Sequence, residues 1–346
     1  MKKSKTARPI IVAVRTPTRS ARALLRKAAS LAKLYGAPLR IVHVLAIPQR
    51  TLARAGAMIQ RAAQADFQHR SAQLERLAQL PELRGLQVST SVRCDYPIQD
   101  ALVREVMERR ARMLIAESHR QGSLARLLLT NIDWELIRNC PCPLWLSKTA
   151  RFDRKARVLA AVDPLHANGK PARLDNSIVA HAAEIAGAEK VTLCHVYELP
   201  RGSVADGSLE AYWIGISEEE RRSYEEKLGH EVRTLLQGEN IPAENALVVR
   251  GDPVAKLPQL AKKHAVSVVV MGAVSRRGLE RVFIGNTAEQ VIDKLGCDVL
   301  VVKPRGFKSP LDHQPFRLRT SARDRQSPVR RGVTGAGAGR VPMRAR

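Results

Sequence analysis

The chain repeats itself, and that repetition limits its possible folds more than any other feature. Ile41-Val-His43-Val44 recurs as Leu193-Cys-His195-Val196, and Val92-Arg-Cys-Asp-Tyr-Pro97 recurs as Val249-Arg-Gly-Asp-Pro253. The segment from Leu127 to Lys148 returns as Val282 to Lys303, each time reading as loop, helix and a short apolar strand before lysine. A period of roughly 150 residues is the size of a whole domain and too long for one unit of a solenoid. A chain of 346 residues therefore holds two copies of one domain. The repeat sets the first copy at residues 7–149, the second at 156–305 and a tail at 306–346.

Each copy alternates short apolar runs with stretches of helical period, the pattern of a buried parallel sheet with crossover helices. The runs of the first copy are Ile10 to Val14, Leu39 to Leu45, Leu86 to Val92, Arg112 to Ala116 and Leu144 to Ser147. Those of the second are Val158 to Val162, Val191 to Tyr197, Ala246 to Val249, Val266 to Met271 and Val299 to Val302. Between them, Leu24, Ala28, Leu31 and Tyr35, and likewise Ile59, Ala63, Phe67, Leu74 and Leu77, recur at the steps of one helix face. The predicted fold class is α/β, two tandem doubly wound five-stranded parallel-sheet domains.

The net charge of +25 is concentrated at the ends. Residues 1 to 30 hold nine Lys or Arg and no acid, and residues 305 to 346 hold eleven against Asp312 and Asp324. Such ends attract polyanions non-specifically, but aromatics are 4% of the chain and no finger, zipper or RNP-type pattern accompanies them. From Phe307 onward Arg, Pro, Ser and Gly dominate, and disorder is predicted for this basic tail. The five cysteines, Cys94, Cys140, Cys142, Cys194 and Cys297, are odd in number and scattered, which suits a reducing, cytoplasmic setting. Cys140-Pro-Cys142 lacks a second Cys/His pair, so a structural role and no metal are expected. No signal h-region and no run long enough to span a membrane is present in the sequence.

Ligands of open α/β sheets sit at the carboxyl ends of the strands, where strand order reverses. In the second copy Val162-Asp163-Pro164 brings a carboxylate to that crevice. Met271-Gly272 leads into Ala-Val-Ser275-Arg-Arg277-Gly278, and Gly285-Asn286-Thr287 opens a helix. Glycines admit a ligand close to the backbone, helix N-terminal amides bind phosphate, and Ser275, Asn286 and Thr287 offer side-chain donors. A ligand-free reading stands beside this one. Asn286 with Glu289 makes a capping-box-like helix start, Gly272 and Gly285 permit a tight turn and close packing, and Asp163 can cap the next segment. His43 and His195 read as packed core histidines.

Val270-Met-Gly272 through Gly285-Asn-Thr-Ala-Glu-Gln-Val-Ile-Asp293, closing with Cys297-Asp-Val-Leu-Val-Val-Lys-Pro304, resembles the nucleotide loop of universal stress proteins. That pattern is glycine, two residues, glycine, nine residues, then glycine and serine. Gly272 and Gly285 match its first and third glycines, Ser275 replaces the second, and Asn286 stands at the serine. With Thr130-Asn-Ile-Asp-Trp-Glu-Leu-Ile-Arg-Asn-Cys140, the likeness extends over residues 8 to 305 and is to the tandem members of the family.

The resemblance implies an adenine nucleotide alpha hydrolase-like fold and, in some members, an adenine-nucleotide pocket with its carboxylate at Asp163. It also implies a cytoplasmic stress-response regulator holding ATP or another adenine nucleotide in the second copy, with Leu144-Trp-Leu146 and Val299-Leu-Val-Val302 apposed in an intramolecular pseudo-dimer. A homodimer of two chains is compatible with that arrangement. In the first copy Arg15 stands at the carboxylate position and Glu117, Arg120 and Thr130 at the glycines, so no nucleotide is predicted there. No Ser-His-Asp order, paired carboxylates or Walker lysine is present, so binding without turnover is predicted. The alternatives are a slow ATPase or autophosphorylation at Ser275 or Thr287, a nucleic-acid-associated factor working through the basic ends, and a less polar ligand in the first copy.

Overall fold

In the computed structural model, residues 7–118, 129–149, 156–165, 173–198, 218–273 and 285–311 are described. The apolar runs become strands and the amphipathic stretches helices, in alternating order. The first copy runs β1 (Ile10–Ala13), α1 (Arg22–Leu34), β2 (Leu39–Leu45), α2 (Gln49–Arg54), α3 (Ala57–Ala78), β3 (Val88–Cys94), α4 (Ile98–Arg109), β4 (Met113–Glu117), α5 (Asn131–Asn139) and β5 (Leu144–Ser147). The second runs β6 (Val158–Ala161), α6 (Arg173–Ala186), β7 (Val191–Tyr197), α7 (Glu218–Gly238), β8 (Ala246–Arg250), α8 (Pro253–Lys263), β9 (Val268–Gly272), α9 (Asn286–Lys294) and β10 (Asp298–Val302). Both copies fall within one compact unit, Met1–His313.

All ten strands join one sheet in the order β3-β2-β1-β4-β5-β10-β9-β6-β7-β8. Each half has the doubly wound order of the sequence reading, and within each half every pairing is parallel. The halves meet through one antiparallel pair, Val299 against Leu146, Leu300 against Trp145 and Val301 against Leu144. This pairing hydrogen-bonds what would otherwise be an open edge on each half. Two apolar clusters sandwich the sheet, one under α1, α3, α6 and α7 and one under α4, α5, α8 and α9, and each contains residues of both copies. That is why the strands read as continuous apolar runs: both faces are covered.

Three local expectations shift. The third strand starts at Val88 and not at Leu86, because Leu86 closes the turn after Pro81 by donating its amide to Leu83 O at 3.1 Å. As an edge strand that is mostly half-buried, β3 takes its register from β2 and not from its own apolar residues. In α3 only the C-terminal half of the expected face is seated. Leu74 and Leu77 are buried, whereas Ile59 is 56% exposed. At the other end, Phe307 and Leu311 pack against the second apolar cluster, so the segment expected to be disordered begins with residues placed on the core. Residues 312–346 lie outside the described ones.

The halves are fastened by polar groups hidden at the junction. Asp298, fully buried at the start of β10, accepts hydrogen bonds from Trp145 Nε1 at 2.7 Å, the Lys148 and Thr149 amides at 2.9 Å and the Thr149 hydroxyl at 3.0 Å. It also pairs with Lys27 of α1, whose Nζ donates to Ser147 Oγ at 2.7 Å. Burial pulls the Lys27 ammonium below its ordinary value while Asp298 pulls it back up.

Lysines then cross between the copies. Lys148, just after β5, donates to Ile292 O and Leu295 O at the end of α9, and Lys303, just after β10, donates to Ile137 O and Arg138 O at the end of α5. Each lysine satisfies last-turn carbonyls of the other copy's helix and places a cation at its negative pole. Arg138 adds an ion pair to Glu289 at 3.2 Å.

Two predictions follow from the junction. Asp298→Asn leaves Lys27 buried without its anion and is expected to cost about 3–5 kcal/mol in urea denaturation. Burial lowers the Lys303 pKa to about 8. The folded chain thus binds fewer protons than the unfolded one between that value and the ordinary lysine pKa, and the stability this group contributes rises with pH across the window. Between about pH 7 and about pH 9.5 the native protein should gain about 1–2 kcal/mol relative to Lys303→Met, read from paired denaturation curves.

Candidate functional site

Strand order reverses between β1 and β4 in the first half and between β6 and β9 in the second, which opens one crevice at the carboxyl edge of each. The two crevices differ in how their neighbouring helix begins.

In the first copy α5 starts with a complete capping box. The Thr130 hydroxyl accepts from the Asp133 amide at 3.3 Å, while the Asp133 carboxylate accepts from the Thr130 amide at 2.9 Å and the Thr130 hydroxyl at 3.0 Å. Asp133 is buried, so a fixed negative charge occupies the helix start and reciprocally satisfies its donors. Beside it lies a cavity of about 530 Å³ walled by Val42, Val44, Ile98, Leu102, Ala116 and Leu136, with Arg15, His43, Glu117, Thr130, Asn131 and Asp133 among its polar lining. A second cavity of about 570 Å³ shares Arg15 and Glu117 and adds Thr16, Ser20, Ser118 and Lys148. Arg15 and Glu117 are exposed, and Arg120 lies outside the described residues.

In the second copy α9 starts differently. Gly285 is its N-cap and makes no side-chain capping bond. Asn286 is the first helical residue, so the capping box expected from Asn286 and Glu289 does not form. The Asn286 carbonyl oxygen accepts from Gln290 Nε2 at 3.1 Å, and the Glu289 carboxylate turns to Arg138. Gly285, Asn286 and Thr287 are all exposed, and a Cβ added to Gly285 meets nothing within 4 Å. The chemistry is that of a helix start whose amides are open to an anion.

Asp163 follows β6, next to the end of β9 in the sheet, and is half-buried. Its amide donates at 3.2 Å to Asp175, a buried residue in the first turn of α6, which ties down the strand-end loop. Burial, reinforced by the charge of Asp163, keeps the Tyr224 phenol protonated. Tyr224 lies 5.6 Å from Tyr197 between ring centroids, and Tyr197 stacks on His195 at 6.0 Å. This aromatic row was invisible in the sequence, since Tyr197 and Tyr224 sit on different elements 27 positions apart with no local spacing to link them. The Thr130-x-x-Asp133 box, by contrast, had a readable signal in its threonine and acid three residues apart.

Gly272 has a packing reason for being glycine. A Cβ there falls 2.7 Å from Leu174 Cδ2 and 3.2 Å from Ile178 Cδ1, so the missing side chain lets α6 lie against β9. Ser275 and Gly278 lie outside the described residues. Among the residues of the proposed set, the structure therefore brings Asp163 and Gly272 to adjacent strand ends and puts Gly285, Asn286 and Thr287 together at the start of α9. His43 and His195 are buried, each with Nδ1 2.9 Å from the carbonyl of the residue following the neighbouring first strand, Val14 and Val162. Burial lowers the His43 pKa, so the neutral ring serves as a clasp between strands. Among the described residues no group of three or more His, Cys, Asp or Glu can hold a metal ion, and no helix is long and apolar enough to cross a membrane.

A tandem doubly wound α/β protein with strand-end crevices at its two switch points is the class these observations define. The pattern described as the universal stress protein family matches residues 6–148 and again 156–303, and the chain belongs to that family. It is 29% identical over 217 residues to universal stress protein E of Escherichia coli K12, covering 62% of this chain and 67% of that one. To universal stress protein E of Photorhabdus laumondii it is 28% identical over 229 residues, covering 61% and 68%. Among solved structures, a functionally unknown protein of Pseudomonas aeruginosa PAO1 matches with TM-score 0.66 and 28% identity over 86% of this chain and 93% of the other. A universal stress protein of Archaeoglobus fulgidus DSM 4304, 13% identical, shares the fold with TM-score 0.59 over 85% and 98%.

The packing of Gly272 gives a prediction. Gly272→Ala drives a methyl into buried Leu174 and should lower stability by about 1–3 kcal/mol in the absence of any ligand, a loss that Leu174→Ala in the same chain partly reverses. Differential scanning calorimetry of the two variants measures both.

Proposed function

We propose that the protein is a cytoplasmic stress-response regulator that binds one adenine nucleotide, ATP or a close relative, in the crevice of the second copy, and that the first copy serves as its intramolecular partner. The contrast between the two helix starts carries this reading. In the first copy a buried aspartate already occupies the place a phosphate would take, whereas the matching helix of the second copy begins at an uncapped glycine beside exposed Asn286 and Thr287. Asp163 supplies an acceptor at the neighbouring strand end for an amino or hydroxyl group, and the proposed cradle is completed by Gly272, Ser275 and Gly278. All five cysteines are free thiols, which supports a reducing compartment. The reading is of a binder, with no general base assigned and no metal invoked.

Thr287→Glu separates folding from binding. A carboxylate in the first turn of α9 favours the helix by about 0.3–1 kcal/mol, yet repels a phosphate at the same amides. Isothermal titration with ATP should give one site per chain in the native protein, a Kd raised at least about tenfold by Asp163→Ala and binding lost in Thr287→Glu with its thermal stability kept. Two sites per chain, or unchanged binding by Thr287→Glu, defeats the assignment, and release of inorganic phosphate during the titration would make the protein an enzyme.

A further inference from the structure

Cys140 and Cys142 flank Pro141 where α5 ends and β5 is about to begin, and their sulfurs lie 3.6 Å apart with both side chains buried. The second copy keeps a cysteine, Cys297, at the position of Cys142 but has Leu295 at that of Cys140, so the pair belongs to the first copy only.

The charge around the pair is lopsided in the same way. Of the two crossed lysines, Lys148 is pulled down by burial and is held up first by Cys297 and then by three carboxylates, Asp293, Asp133 and Asp298. Lys303, equally buried, has no ion pair with a carboxylate among the described residues; burial pulls it down, and Cys140 is the group that acts to raise it. Its Nζ is fixed on Ile137 O and Arg138 O, two and three residues before Cys140, and lies 4.8 Å from the Phe307 ring. A buried cation whose anionic neighbour is a thiol favours the thiolate of that thiol. The two sulfurs share a hydrogen bond in which either can donate; the contact moves the Cys140 thiol down, while burial and the same contact move Cys142 up.

We propose that Cys140-Pro141-Cys142 is an oxidisable dithiol, with Cys140 as the attacking sulfur, Cys142 as the resolving sulfur and Lys303 as the positioning cation, and that it closes to a disulfide on meeting hydrogen peroxide. The Cys140 thiolate attacks one peroxide oxygen and the O–O bond breaks, giving a sulfenic acid and a hydroxide that leaves as water with the proton Cys140 had released. The Cys142 sulfur then attacks the sulfenic sulfur. The S–S bond forms, the S–O bond breaks, and the departing hydroxide takes the Cys142 proton as a second water. Two thiols and one peroxide thus become one disulfide and two waters. Closure removes the thiolate that faces Lys303, the lysine by which the second copy caps α5 of the first, so the oxidation state of the pair acts on the junction between the copies. Burial makes the reaction depend on local opening, which a small uncharged oxidant exploits best.

The test uses the full-length reduced protein, freed of reductant and treated with hydrogen peroxide under native conditions. Free thiols are then blocked with iodoacetamide, and peptides are mapped by mass spectrometry before and after reduction. The peptide carrying both Cys140 and Cys142 should escape alkylation and be lighter by two hydrogens, while Cys94, Cys194 and Cys297 are alkylated as thiols on denaturation. In Cys142→Ser the reaction should halt at a sulfenic acid on Cys140 that dimedone traps, and Lys303→Met should slow disulfide formation about tenfold near neutral pH, because the thiolate fraction of Cys140 falls when the cation is removed. The proposal fails if Cys140 and Cys142 stay alkylatable after peroxide, if dimedone marks Cys142 in the Cys140→Ser protein but never Cys140 in Cys142→Ser, or if Lys303→Met reacts at the native rate.

Discussion

Everything in this molecule depends on one antiparallel seam, the pairing of β5 with β10, and on the buried carboxylate that sits beside it. Short parallel sheets with exposed edges are poor endpoints for folding, because an open edge carries unpaired backbone groups. Here each half closes the other's edge. Asp298 then draws Lys27, Trp145, Lys148 and Thr149 of the first copy around the first residue of the last strand, so the seam is polar where it matters for alignment and apolar on both faces. A one-residue slip of β10 would bury Asp298 away from its partners, and the register is thereby fixed.

Duplication has let the halves diverge where they no longer need to be alike. The strands, the clasping histidines His43 and His195 and the crossed lysines Lys148 and Lys303 keep the pseudo-symmetry. The helix starts and the cysteines do not. Thr130 and Asp133 close one helix start with protein groups, whereas Gly285 leaves the other to solvent or to a ligand. Lys148 has three carboxylates as well as the thiol Cys297 acting on its charge, whereas Cys140 alone acts to raise Lys303. In both cases an electrostatic role filled within the chain in one copy is open to outside chemistry in its twin.

The architecture was legible because its signals are local. Apolar runs such as Ile10 to Val14 and Val191 to Tyr197 need only their own composition to be read as buried strands, and the period of Leu24, Ala28 and Leu31 marks the buried face of α1. Strand limits were less legible: the edge strand β3 and the central β9 both start two residues later than read, because apolar Leu86 and Val266 close the preceding turns and read like strand residues. The site was half legible. Gly285, Asn286 and Thr287 were recognised at a helix start, but the N-cap fell on Gly285 and the supposed capping box dissolved, because Glu289 finds Arg138 of the other copy. Gly272 was read both as a cradle for a ligand and as a glycine for close strand-to-helix packing, and its absent side chain makes room for Leu174.

The sequence by itself determined the duplication, the alternation of strand and helix, the strand order implied by right-handed crossovers and the residues able to meet at the carboxyl edge, since each is written in periodicities of two, of about 3.6 and of one domain length. Only the tertiary structure decided which copy's helix start is closed, what Gly272 touches, that Tyr197 and Tyr224 pack together, and that Lys303 caps α5 of the other copy within electrostatic reach of Cys140. Those outcomes rest on contacts between residues far apart in the chain, where no local pattern records the partner and where burial, by stripping water from charges, decides how strongly they act on one another.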